Sequence, residues 1–331
     1  MPAVLGVAQF ISNGGEDSST NQDQQLKEFD WGLVNTFSAR SVSKATQRTY
    51  RKVVTDFFQF FKNINPVEVK SEHVIAFRDC LIEKNRSANT IALKLSIIRS
   101  FYSYLLAQGY VKHNPASTRL VSPPPISDLP AGRALTSKEV CCLLNGPDRA
   151  TLAGRRDYAL MLLMVRLSLR VNEACTARLS NIRWSHGRWI IKLRVKRGKE
   201  EMWPLPADVK QSIDDYLSLD CDRRMELGTA GDEQYIFQPH CNYRTREFAK
   251  PLSSRHAHKI VVRWAQHARI GRVSPHDLRR TVITKLLNDG KSYREVQMVT
   301  KHRDPRSVQR YDHARENLEH NPVNTLSYEN E

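Results

Sequence analysis

Residues 275–290, PHDLRRTVITKLLNDG, followed by residues 301–313, KHRDPRSVQRYDH, decide how this chain is read. A basic helix is usually a solvated face, and a tyrosine near the end of a chain is usually a packing residue. Here His276 and Arg279 lie three apart, so a helix brings them to one face. Pro275 suits the first position of that helix, Gly290 suits the residue just past its end, and the free amides of a helix N-terminus favour an anion. His302 follows Arg279 by twenty-three residues, and Tyr311 follows His302 by nine. Phosphodiester cleavage without a metal needs a nucleophile, a holder for charge on the non-bridging oxygens and a proton for the leaving oxygen. The planar fork of arginine binds two phosphate oxygens at once and stays charged. A tyrosine hydroxyl, with a free pKa of about 10, can be the nucleophile where cations surround it.

The rest of the chain fits a polyanionic partner. Its 331 residues suggest two domains at roughly 100–200 residues each. Net charge is +16 and pI about 9.7. Residues 1–30 hold five acids and one base, a net −4, so the remainder carries +20. No apolar run is long enough to span a membrane, and the N-terminus does not read as a secretory signal. The six cysteines show no CxxC spacing, so reduced thiols are expected rather than a metal site or a disulfide framework. Nucleic acid is favoured over a membrane surface, and a cytoplasmic, nucleoid-associated protein is expected.

Residues 1–40 are rich in Ser, Asn, Gln, Gly and Asp and read as a loosely ordered segment, with Phe29, Trp31, Leu33 and Phe37 able to dock. Residues 41–120 carry three helical patterns with basic surfaces, one near 44–61 and one over 87–109 with Gly109 at its end. The four prolines of residues 121–132 mark an extended linker. A second domain over 133–315 opens with a capping box, Thr136 to Glu139. It continues through an apolar helical run over 155–179. Three short β-type runs around Gly187 and Gly198 predict an antiparallel meander. Helices are expected again near 207–219, 256–270, 276–289 and 293–300. The fold class is therefore a helical N-terminal domain plus a mostly helical domain with a small antiparallel sheet.

With His276, Arg279, Gly290, His302 and Tyr311 in this order and spacing, the chain resembles the tyrosine recombinase (phage integrase) family. The family's first box, an Arg after an apolar helix, is matched by LSLRVNEA, with Arg170 and, three residues on, Glu173. Its hairpin lysine is matched in RVKRGKEEMWPL by Lys196, with Lys199 as the alternative. Residues 41–120 look like its core-binding domain. Three positions depart from the pattern: Ser168 and Lys301 stand where the family usually has Gly, and Arg280 where it often has His.

The resemblance implies that Tyr311 attacks the scissile phosphate to form a 3′-phosphotyrosyl bond. Arg170, Arg279 and His302 would hold the phosphoryl oxygens. Lys196 would protonate the leaving 5′-oxygen, and His276 would act as base or hydrogen-bonding group. Glu173 would orient a cationic partner, with an ordinary ion pair as the alternative. It also implies double-stranded DNA with inverted-repeat sites, a homotetramer at synapsis, a 316–331 tail that contacts a neighbouring subunit, and no metal, ATP or other cofactor. Service to a mobile element is expected. A catalytically silent DNA-binding protein on the same fold and a type IB topoisomerase-like enzyme remain the rival readings.

Overall fold

The computed structural model describes residues 31–126, 132–195, 198–240, 247–312 and 323. Two compact units divide at Ile126, inside the Pro-rich stretch.

The first unit is built from helices α1 (Gly32–Ala39), α2 (Lys44–Phe60), α3 (Ser71–Glu83) and α4 (Ala88–Ala107). Ser43 and Ser87 cap α2 and α4 through their side-chain oxygens, which satisfy amides that have no partner inside the helix. Tyr50, Val53, Val54 and Phe57 recur at helical spacing and turn one face of α2 inward. Phe57, Phe58, Phe77 and Phe101 meet edge to face at the centre. Residues 1–30 lie outside the described residues, and the rest of the segment expected to be loosely ordered contains a helix. α1 buries Val34 and Phe37 in this core, and Phe37 stacks on Tyr50 at 5.4 Å. Two large apolar side chains outweigh the polar residues around them.

The second unit contains α5 (Ser137–Asn145), α6 (Leu152–Leu167), α7 (Val171–Cys175), strands β1 (Ile182–Ser185), β2 (Arg188–Arg194) and β3 (Glu200–Pro204), then α8 (Ala207–Glu226), α9 (Ser254–His267), α10 (Pro275–Asn288), α11 (Tyr293–Thr300) and α12 (Arg306–Gln309). The strands form an antiparallel sheet in the order β1-β2-β3, with Ile191 opposite Ile182 and Trp203. Ile191, Leu193 and Trp203 face the core. The expected capping box is present: Glu139 accepts from the Thr136 amide at 2.8 Å and Thr136 Oγ1 from the Glu139 amide.

The run over 155–179 is two helices rather than one. Ser168 takes a left-handed conformation (φ 54°, ψ 35°) and Arg170 an extended one, so the chain turns between α6 and α7. α8 runs seven residues past the expected 219, to Glu226. Its extension carries Asp220 and Arg224, both buried. Arg224 donates to Asp220, to Gln234 and to the carbonyls of Tyr235 and Ile236, so the charges are paired inside. Among the described residues, no helix is long and apolar enough to cross a membrane.

Candidate active site

Helix α10 begins with a capping box. Asp277 accepts from the Ser274 amide at 2.8 Å and from its hydroxyl at 2.7 Å, and Pro275 occupies the first turn. The other Asp277 oxygen accepts from the Arg133 amide at 3.2 Å. Gly132 sits against this carboxylate, where a Cβ would lie 2.1 Å from Oδ1, so only glycine fits. Asp277 is thus a fastener for the entry of the unit rather than a partner for the basic groups beside it.

One turn into α10, Arg279 is 1% exposed. Its guanidinium donates to the Ser168 carbonyl, to the Thr300 carbonyl at 2.6 Å and to His302 Nε2, 3.1 Å away. Helices α6 and α11 both end on a left-handed residue, Ser168 and Lys301 (each φ 54°). Turning out of the helix leaves terminal carbonyls without intrahelical partners, and Arg279 takes one from each end. These two residues are the positions where glycine was expected from the family pattern. A left-handed conformation is what glycine adopts without steric cost.

This yields a stability prediction. The Ser168 hydroxyl is buried and has no hydrogen-bond partner among the described residues. Ser168→Gly removes both the strain and that hydroxyl while keeping the carbonyl that Arg279 holds. We expect a gain of about 1 kcal/mol, or roughly 2–4 °C in Tm for a unit of this size. A lower Tm in thermal unfolding would show that the Ser168 side chain contributes packing that outweighs its strain.

Tyr311 follows α12. The residue is 8% exposed and its ring packs on Ile283 and Val296, with Val308 from α12. The Arg280 guanidinium lies 5.4 Å from the ring centroid and also donates to the Gly132 carbonyl, so this departure from the pattern both covers the tyrosine and holds the entry segment. The Tyr311 hydroxyl is 3.3 Å from His276 Nε2. The next residue, Asp312, accepts from the Tyr293 hydroxyl at 2.5 Å, which fixes the segment to α11.

Arg170 precedes α7. Glu173 Oε2 accepts from its amide and Oε1 from its guanidinium, each at 2.8 Å. The Glu173 side chain is 5% exposed and that of Arg170 39%, so the acid is sunk and the arginine keeps an open side. Arg170 lines two cavities. One of about 840 Å³ also takes in Arg178, Lys192 and Arg194, and one of about 360 Å³ takes in His302, Lys301 and Glu201.

The electrostatics follow from this crowding. Burial, and then the Arg170 charge, lower the pKa of Arg279 to about 10, so it stays a cation at neutral pH. Burial, then Arg279 and Arg170, push the His302 imidazole down to about 3. His276 is also lowered, by burial first and then by Arg279 and Arg280, with Asp277 opposing. His302 is therefore neutral at neutral pH, and the downward shift of His276 favours its unprotonated form, which can accept from the tyrosine hydroxyl. An anion placed beside Arg170 and Arg279 would relieve their mutual repulsion.

Of the sequence-derived site, Arg279 is hydrogen-bonded to His302 and Tyr311 to His276, and Arg170 with Glu173 stands two residues along the chain from the Ser168 anchor. Lys196 lies outside the described residues. The hairpin around it is closed by the Val195 amide donating to the Lys199 carbonyl at 2.7 Å, and Lys199 Nζ lies 3.8 Å from Glu201 on the exposed side. Thr300, Gln297 and Tyr293 are parts of the site that no motif marks. Among the described residues, no group of three or more His, Cys, Asp and Glu is placed to hold a metal ion.

Comparison with known proteins identifies the family and the fold. Residues 133–317 match the phage integrase family and residues 33–111 its N-terminal SAM-like domain. Tyrosine recombinase XerC of Thermodesulfovibrio yellowstonii is 31% identical over 274 residues, 82% of this chain and 86% of that one. Tyrosine recombinase XerD of Halalkalibacterium halodurans is 26% identical over 83% of this chain and 89% of its own. The fold is shared with the XerH site-specific recombinase bound to difH substrate in a pre-cleavage complex (TM-score 0.65, 18% identity, 85% of this chain and 80% of that one). It is also shared with a lambda integrase dimer bound to a COC′ core site (TM-score 0.62, 16% identity, 86% and 77%). The chain belongs to the phage integrase family, the tyrosine recombinases, which cleave and rejoin DNA at specific sites.

Proposed function

We propose that this protein recombines DNA through a 3′-phosphotyrosyl intermediate formed on Tyr311. The observation that carries the reading is the Tyr311 hydroxyl on His276, in the same cluster as the Arg279–His302 pair. His276 takes the hydroxyl proton as the tyrosine oxygen bonds to phosphorus. Arg279, Arg170 and His302 hold the phosphoryl oxygens, and the bond to the 5′-oxygen breaks. Lys196 supplies that oxygen with its proton. Glu173 fixes the Arg170 fork. The energy of the broken ester stays in the protein–DNA bond, so the reverse step rejoins a strand with no outside energy source.

The DNA is double-stranded, with inverted-repeat half-sites, and a homotetramer forms at synapsis, the 316–331 tail reaching a neighbour. In support, XerH has been solved on a palindromic difH substrate and lambda integrase as a tetramer on a Holliday junction. Service to a mobile element, by integration and excision or by cointegrate resolution, completes the reading.

The test recovers sites from randomised duplexes by selection and places one on a nicked duplex. Label on the 5′ side of the break should migrate with the protein, and the other fragment should carry a free 5′-hydroxyl that a kinase labels directly. Protein attached to the 5′ end would overturn the mechanism.

The leaving-group acid has its own test. Lys196→Ala should be slow on ordinary DNA, by about 10²–10⁴-fold, and largely restored on a 5′-bridging phosphorothioate, because a thiolate leaves without a proton. Rescue of Lys199→Ala instead would move the assignment three residues along the hairpin.

A further inference from the structure

We propose that Thr300 is a positioning residue that sets the tautomer of His302. The inference rests on the reading of His302 as a phosphate-binding group. It starts from a count of protons. A threonine hydroxyl has one hydrogen to give and two lone pairs to receive. Thr300 Oγ1 lies 2.8 Å from the Val296 carbonyl, which can only accept, so the hydroxyl hydrogen points there. The same oxygen is 2.9 Å from His302 Nδ1 and must receive on that side. Nδ1 therefore carries the hydrogen. Nε2 is left with its lone pair, which accepts from the Arg279 guanidinium at 3.1 Å. One assignment satisfies all three contacts. The opposite tautomer would set Nε2–H against an arginine N–H, hydrogen facing hydrogen, and would force the hydroxyl off Val296.

Thr300 is fully buried, and its own carbonyl accepts from Arg279 at 2.6 Å. Gln297 holds the His302 carbonyl at 3.0 Å, so the imidazole has little freedom to turn. Burial and the neighbouring cations Arg279 and Arg170 keep the ring neutral without DNA.

The consequence is chemical. With Nδ1–H already committed to Thr300, His302 can donate to a phosphate oxygen only by gaining a proton at Nε2. It then binds phosphate as a cation rather than as a neutral donor. Two groups change together as DNA enters: Arg279 releases Nε2, and Nε2 takes up a proton from solution. A neutral imidazole with Nε2–H would offer a hydrogen bond without the charge.

The experiment uses the full chain with ¹⁵N-labelled histidine. In the free protein, His302 should show the Nδ1–H tautomer in long-range ¹H–¹⁵N spectra, assigned by its loss in His302→Ala. Thr300→Ser, which keeps the hydroxyl, should retain that tautomer. Thr300→Val, which keeps the shape and removes the hydroxyl, should lose it. Cleavage of the nicked duplex by Thr300→Val should fall by about tenfold to a hundredfold, by analogy with loss of the partner that orients a metal-bound histidine, with Thr300→Ser close to wild type. In a His302→Ala background the Thr300→Val effect should vanish, which a merely structural threonine would not produce. An Nε2–H tautomer in the wild type, or Thr300→Val cleaving at the wild-type rate, would overturn the proposal. Failure of wild type to form any tyrosyl adduct would instead overturn the functional reading, and the spectra would still decide the tautomer.

Discussion

Tyr311→Phe is expected to bind its selected site as tightly as the wild type and to form no covalent protein–DNA complex. The ring lies among Ile283, Val296 and Val308, and phenylalanine keeps that packing and the place beneath Arg280. What is lost is the hydroxyl, whose hydrogen bond is to His276 at 3.3 Å. Such a partly buried, neutral bond contributes on the order of 1 kcal/mol, so the fold is retained. DNA affinity comes from many phosphate contacts over a chain of net charge +16 and is not reduced by removing one neutral oxygen. The reaction has no other start: without the phenolic oxygen nothing bonds to phosphorus. The measurement is a detergent-resistant band on a nicked duplex, beside a binding assay on the same DNA. A covalent adduct from Tyr311→Phe would mean another residue is the nucleophile. Loss of binding would mean the hydroxyl is structural.

The order of motifs made the site legible because the chemistry lies in residue types that few folds place at such spacings. His276 and Arg279 share a face for the elementary reason that they are one helical turn apart, and the structure puts them there. The sheet was legible because Gly187 and Gly198 interrupt short alternating runs, and both have positive φ. Other features left no mark. Asp157 sits in a stretch that reads as apolar helix, yet it is fully buried and receives Arg156, Arg263 and the Trp264 indole. Its partners on α9 are more than a hundred residues away, so periodicity cannot find them. Thr300 is equally silent: a threonine ending a helix is ordinary until the fold brings Arg279 and His302 to it. Ser168 and Lys301 were visible as departures from a pattern, but only the backbone angles show that both mark the same device, a left-handed exit that frees a carbonyl for Arg279.

Arg279 therefore has two tasks, and substitution should separate them by size. Its guanidinium closes the ends of α6 and α11 through two carbonyls and reaches His302 with the same fork. Arg279→Ala leaves both carbonyls buried and unpaired, at roughly 1–3 kcal/mol each. A large fall in Tm is expected, and loss of activity there would say little about catalysis. Arg279→Lys is the informative change. It keeps the charge, but one ammonium cannot span three acceptors that a planar fork meets in different directions. Cleavage of the nicked duplex should drop by about 10²–10³-fold, the scale of losing one donor to developing negative charge. Sulfur in the leaving group should not restore it, because charge on the non-bridging oxygens still has to be held. DNA affinity should change little, since one phosphate among many is affected. Cleavage by Arg279→Lys within a few-fold of wild type would show that charge alone suffices and that the buried fork serves only to hold the two helix ends together.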